Sequence, residues 1–164
     1  MALPNKVLPG FSAALYCQSG ATPTPLTTAQ LSLVASVSPI AVSGNQLPVE
    51  AIPAFGQDDA VANYAVAGSR QSDKIPVQAA PTSMTITAAW NPADTNLLLM
   101  RADAYSGTID RTFVVSATDD TNIVYYAFNG RVGQFQIDSQ PGAEAKCTFT
   151  VHPRGNQYGW SNNA

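Results

Sequence analysis

Ile109-Asp110-Arg111-Thr112-Phe113-Val114-Val115-Ser116-Ala117 opens the part of the chain that decides its fold. Three similar segments follow, Asn122–Phe128, Arg131–Asp138 and Ala145–His152, all rich in β-branched and aromatic residues. The joins between the four are Thr118-Asp119-Asp120-Thr121, Asn129-Gly130 and Gln140-Pro141-Gly142-Ala143, each built of turn-forming residues. Asn-Gly is the strongest short hairpin signal among them. The last third of the chain therefore reads as an antiparallel meander of four strands.

Working upstream, Thr82–Trp90 alternates Met84, Ile86 and Ala88 against Thr85 and Thr87, a half-buried strand. It runs into Asn91-Pro92-Ala93-Asp94, where a helix is expected to begin. Asn91 can cap free backbone N–H groups, Pro92 suits the first helical position, and Asp94 complements the positive end of the dipole. The helix should end before Gly107, with Leu97, Leu98, Met100 and Ala104 as its apolar stripe. Phe11–Cys17 and Leu31–Val37 alternate as strands, the second ended by Pro39, and Val49–Ile52 suggests another short one. Gln18–Thr28, with Pro23 and Pro25, reads as a loop. Between about residues 55 and 80 lies a long excursion whose legs, Val61–Ala67 and Ile75–Gln78, flank the polar tip Gly68–Lys74 as a hairpin would. Pro76 requires an edge position there. The resulting expectation is a mainly β fold: an antiparallel β-sandwich or barrel with one short flanking α-helix and a long protruding hairpin or loop. Residues 1–10 form an N-terminal arm, 11–153 the domain, and 154–164 an aperiodic C-terminal tail that docks or hangs free.

Composition narrows the function. The chain has 164 residues, a formal net charge of -3, and only 12% charged side chains, about half the usual share. Such a surface suits contact with other protein. Lys and Arg are not clustered, so nucleic acid has no positive footprint to grip. The 12 Pro and 11 Gly exclude a helical bundle. No apolar run is long enough to span a bilayer as a helix, and the N-terminus lacks a signal-peptide pattern.

The residue types that carry chemistry are sparse. Cys17 and Cys147 are the two cysteines, without a CxxC motif, and His152 is the single histidine. No zinc ligand set forms from these, and both thiols read as packing residues. By strand alternation His152 faces away from Cys147, Phe149 and Val151, which argues against a Cys–His pair. Asp58-Asp59 and Asp119-Asp120 are paired carboxylates in turn-like sequence, where local hydrogen bonding accounts for them. No glycine-rich phosphate cradle is present and no cofactor is expected. Tyr125, Tyr126, Phe128, Phe135 and Phe149 have no interleaved cations and read as core.

The order of elements resembles the tail tube protein of long-tailed bacteriophages. Three stretches carry the likeness: Met84-Thr85-Ile86-Thr87-Ala88-Ala89-Trp90-Asn91-Pro92-Ala93-Asp94, Ala127–Ile137, and Cys147-Thr148-Phe149-Thr150-Val151. The resemblance implies a non-enzymatic subunit that forms hexameric rings stacked into a tube for genome ejection, in a virion tail assembled in the host cytoplasm. It implies partners: the chain itself, tail terminator and tail tip or baseplate proteins, and DNA that passes without specific binding. Under it, Arg70, Ser72, Asp73 and Lys74 are candidate inter-ring contacts. Asp119, Asp120, Asp138 and Glu144 are candidate lumen carboxylates, repelling phosphate. The competing reading from the same strands is a receptor- or carbohydrate-binding β-sandwich module, and a small hydrolase using the Asp pairs comes third.

Overall fold

In the computed structural model, residues 12–65, 72–118 and 123–162 are described. Five strands form one antiparallel sheet in the order β1 (Ser12–Cys17), β5 (Asp110–Thr118), β6 (Ile123–Asp138), β7 (Lys146–Asn162), β4 (Met84–Ala89). The sheet curls into a half-barrel. A separate two-stranded hairpin pairs β2 (Gln57–Ala65) with β3 (Ser72–Pro81), as the flanks of the polar tip suggested. Pro76 lies opposite Val61 beside a register shift, in a ribbon where both strands are edges.

Side-chain alternation gives the sheet two different faces. On one, Leu15, Cys17, Met84, Ile86, Phe113, Val115, Phe128, Cys147, Phe149 and Val151 form the main core. Helix α3 (Thr95–Ser106) closes it with Leu97 and Met100. Phe113 stacks on Phe128 and Phe135 on Phe149, with centroids 5.8 and 5.9 Å apart. Each such buried side chain contributes about 1.5–3 kcal/mol of transfer free energy. On the other face, Val114 and Ala127 are covered by Leu31, Val37 and Ile40.

That cover corrects the first discrepancy. Residues 31–37, expected as a strand, belong to two single-turn helices, α1 (Thr28–Leu31) and α2 (Val34–Val37). Thr27 and Gln30 form a reciprocal capping box, and only Leu31 and Val37 point inward. The apparent alternation came from Leu33, which is exposed. The expected short strand at residues 49–52 reduces to a single bridge, Val49 to Ala88.

The meander also differs. Asn129-Gly130 is not a turn: β6 runs through it, and β7 runs through Pro153 to Asn162, so residues 154–162, expected as a tail, extend the strand. The pair is consumed by packing instead. Asn129 accepts a 2.7 Å hydrogen bond from the Thr112 hydroxyl and donates one of 2.7 Å to the Leu26 carbonyl. A Cβ at Gly130 would lie 2.8 Å from Val151 Cγ1. Register shifts at Ala127/Asn129 and Gly133/Gln136 bend the two long strands. Gln134, with φ 52°, takes the left-handed conformation at the second.

Helix α3 starts later than expected. Asp94, rather than Asn91, is its N-cap, accepting from the N–H groups of Asn96 and Leu97 at 2.9 and 3.2 Å. Asn91 instead accepts from Ala93 in the preceding turn. Gly107, at φ 62°, ends the helix as expected. The buried face is Asn96, Leu97, Met100 and Asp103, whereas Leu98, expected in the apolar stripe, is 40% exposed and lies outside that face.

Candidate functional site

Titratable groups are spread over the molecule in small, self-contained clusters. Arg111 on β5 is fully buried; its Nε and Nη2 donate to the Asp103 carboxylate at 2.7 and 3.0 Å, and Nη1 donates to the carbonyls of Gln18 and Gly20. This ties α3, β5 and the loop after β1 together. On the opposite face, the Asp110 carboxylate accepts from Arg131 at 2.8 Å and Arg154 at 3.0 Å. Partial burial pushes the Asp110 carboxyl up, but hydrogen bonds and charge from the two arginines outweigh it and hold the group below its ordinary range. An open cleft of about 350 Å³, lined by Thr22, Pro23, Pro25, Thr108, Ile109 and Asp110, lies beside this cluster. Lys146 meets Glu50 at 2.6 Å, and that hydrogen bond and charge raise the ammonium group.

The nucleophile candidates behave as packing. Cys17 and Cys147 are both free and buried. Burial pushes the Cys17 thiol up to about 12, against the opposing pull of Arg111, and raises Cys147 as well. Both therefore hold their protons at neutral pH. His152 is exposed, on the face opposite Cys147, and its Nδ1 lies 2.9 Å from the Ser83 hydroxyl. On strand β5, the Asp110 carboxylate is committed to Arg131 and Arg154. Among the described residues no group of three His, Cys, Asp or Glu side chains could hold a metal ion, and no helix is long and apolar enough to cross a membrane.

The expected assembly residues fall in three places. Ser72, Asp73 and Lys74 begin β3, opposite Ala65, Tyr64 and Asn63, while Arg70 lies outside the described residues. Asp138 ends β6 and Glu144 stands in the connection to β7, both exposed at one end of the long strands. Asp119 and Asp120 lie outside the described residues, between β5 and the other end of β6.

Both edges of the sheet are bracketed by one segment, which the sequence did not reveal. Leu47 donates to the Leu15 carbonyl of β1, and Glu50 donates to the Thr87 carbonyl of β4 while Ala89 donates back to Pro48. Residues 46–50 thus bridge the open side of the half-barrel. Asn96 secures that bridge from α3 by donating to the carbonyls of Gly44 and Gln46.

No protein-family model and no curated protein sequence matches the chain. Solved structures do match in shape. A chain of the anti-feeding prophage baseplate, solved with six-fold symmetry, aligns over 98% of this chain and 97% of its own at a TM-score of 0.65 and 9% identity. The SPP1 tail tube aligns over 90% of this chain and 75% of its own at a TM-score of 0.55 and 10% identity. This is the phage tail tube fold. A chain from the tail of an empty GTA particle, refined with C6 symmetry, covers 71% of this chain at a TM-score of 0.51 and 13% identity. Within the tail tube fold, the discrete ion pairs above serve to hold α3, β5 and the sheet together.

Proposed function

We propose that the chain is a structural subunit of a phage tail tube, forming hexameric rings that stack around a lumen through which the genome passes. The single observation that carries this reading is the end-to-end likeness to a baseplate chain of a six-fold assembly, covering 98% and 97% of the two chains. The chemistry agrees: thiols held protonated, ion pairs spent on packing, and few charges to bury unpaired at a repeated interface. Neighbouring copies are its main partner, with tail terminator and tip or baseplate proteins at the ends, in a virion tail built in the host cytoplasm. The hairpin, through Arg70, Ser72, Asp73 and Lys74, reaches the next ring. The carboxylates Asp119, Asp120, Asp138 and Glu144 supply the lumen's negative charge.

The test is direct. Purified chain is concentrated and followed by analytical ultracentrifugation and negative-stain microscopy, with rings or tubes expected. A monomer at every concentration and salt level contradicts the proposal and favours a monomeric binding module.

A further inference from the structure

The cleft beside Asp110 is shaped before anything enters it. One wall is the loop after β1, with Thr22, Pro23 and Pro25, and the other is the entry to β5, with Thr108, Ile109 and Asp110. Side chains of the inner strands pin both walls. Arg111 Nη1 holds the Gln18 and Gly20 carbonyls, while Asn129 and Thr112 hold the carbonyl and the N–H of Leu26. Gln18 donates in turn to the Thr24 carbonyl at 2.8 Å, and the two prolines fix backbone torsions between these points. On the other wall, Arg131 donates to the carbonyls of Gly107 and Thr108 and to Asp110. A cleft of about 350 Å³ is large enough for a small ligand, and its preorganised walls lower the cost of binding one.

Charge beside the cleft is unbalanced in one direction. Register places Asp110, Arg131 and His152 side by side across β5, β6 and β7, with no second carboxylate in the row. Two guanidinium groups thus share one carboxylate. Arg131 spends Nε, Nη1 and Nη2 on Asp110 and the two carbonyls, whereas Arg154 spends only Nη1. The Nε and Nη2 of Arg154 have no acceptor among the described residues, and its side chain is 56% exposed. That edge of a guanidinium presents two parallel N–H groups, the geometry that grips a carboxylate. Arg154 precedes Gly155, at φ 77°, where β7 shifts register against β6. Bulges of this kind re-aim a side chain.

We infer that the cleft binds a small amphiphilic carboxylate, with the free Nε–Nη2 edge of Arg154 taking the carboxylate and Pro23, Pro25 and Ile109 covering its apolar body. The inference stands apart from the tail tube reading and applies to a single copy. Asp110 belongs both to the cleft wall and to the arginine cluster, so the polar and apolar halves of the site adjoin. The uncompensated positive charge sets the sign of the ligand, because a cation would meet two arginines and a carboxylate already spent on them. The apolar walls set its other end, since a bare anion such as acetate would leave them in water. This chemistry reaches the site either as a free acid or as a Glu side chain beside an apolar residue in a peptide.

Saturation-transfer NMR observed on the ligand tests this with the full chain, because it reads monomers and assemblies alike. Hexanoate should bind, acetate and hexanol more weakly, and hexylamine not at all. Arg154→Gln should weaken hexanoate about tenfold or more through the lost charge-assisted hydrogen bonds. Arg154→Lys keeps the charge without the fork and should recover only part of that loss. Thr22→Trp should fill the cleft and block binding, whereas Lys146→Gln, at a cation paired elsewhere, should change nothing. Thr22 and Arg154 are exposed, so thermal melts of their variants should stay close to the wild type. An acetylated and amidated Leu-Glu dipeptide separates the two sources: if it binds more tightly than hexanoate the site takes a peptide side chain, and if more weakly a free acid. Loss of either ligand with Arg154→Gln supports the site. Failure of both ligands to bind at their highest soluble concentration, hexylamine binding as well as hexanoate, or binding that survives both Arg154→Gln and Thr22→Trp overturns the inference.

Discussion

At the scale of single residues, the Asp103–Arg111 pair is the most consequential polar feature of the core. Both side chains are essentially excluded from water, and Arg111 reaches two further carbonyls. Removing one partner strands the other charge, so Asp103→Ala should cost about 3–5 kcal/mol of stability by urea unfolding. Replacing both together with Asp103→Leu and Arg111→Met should cost far less, because no buried charge remains; equal losses would refute this account. Asp110 differs because it is partly exposed. Its folded pKa lies below the unfolded value, so its stabilisation is complete above about pH 4 and is lost as pH falls through the depressed folded value. The melting temperature of Asp110→Asn should therefore start lower at neutral pH and fall less steeply below pH 4 than that of the wild type.

Elements show where sequence patterns inform and where they mislead. In α3, Leu98 and Met100 look equivalent in a stripe, but the helix turns only Met100 inward. Met100→Asp should unfold the domain or cost more than about 4 kcal/mol, whereas Leu98→Asp should stay within about 0.5 kcal/mol. Circular dichroism melts of the two variants decide it; equal effects would mean the helix is rotated. The error in the stripe has a physical cause: the inward face includes polar Asn96 and Asp103, whose partners lie about 50 and 8 residues away and leave no periodic trace. The same holds for Asn129-Gly130, legible as a turn but used for a cross-sheet hydrogen bond and a close approach to Val151. Gly130→Ala should thus cost about 1–3 kcal/mol through overpacking, though an Asn-Gly turn would have been the usual reason to keep glycine there. What could be read locally was read: the strand Met84–Ala89, the hairpin, and the αL stop at Gly107. The capping box at Thr27 and Gln30 was equally local, and its spacing marks the helix that alternation disguised. The candidate assembly residues are the least legible, because a face or an edge is defined only once all five strands are ordered.

For the whole molecule, the proposed passage of DNA turns on where positive charge is free. Arg111 is buried against Asp103, Arg131 and Arg154 share Asp110, Lys146 meets Glu50, and Arg101 lies over the Tyr105 ring at 5.7 Å. Among the described residues these cations are therefore divided among separate elements and partners. Assembled tubes should accordingly show no measurable duplex retention in co-sedimentation at low salt, where counter-ion release favours binding most. Asp138 and Glu144 lie at the exposed β6–β7 end with Lys146 and Glu50 nearby. Converting both to Lys changes the charge by four per copy, and repetition around a ring multiplies the effect. If that end borders the lumen, the double variant should acquire DNA retention that collapses as salt rises, and ejection or DNA passage should slow. If it lies outside, short duplexes should bind the tube exterior while passage is unchanged. Tight, salt-sensitive binding by the unmodified tubes would contradict a passive conduit, whatever the position of these two carboxylates.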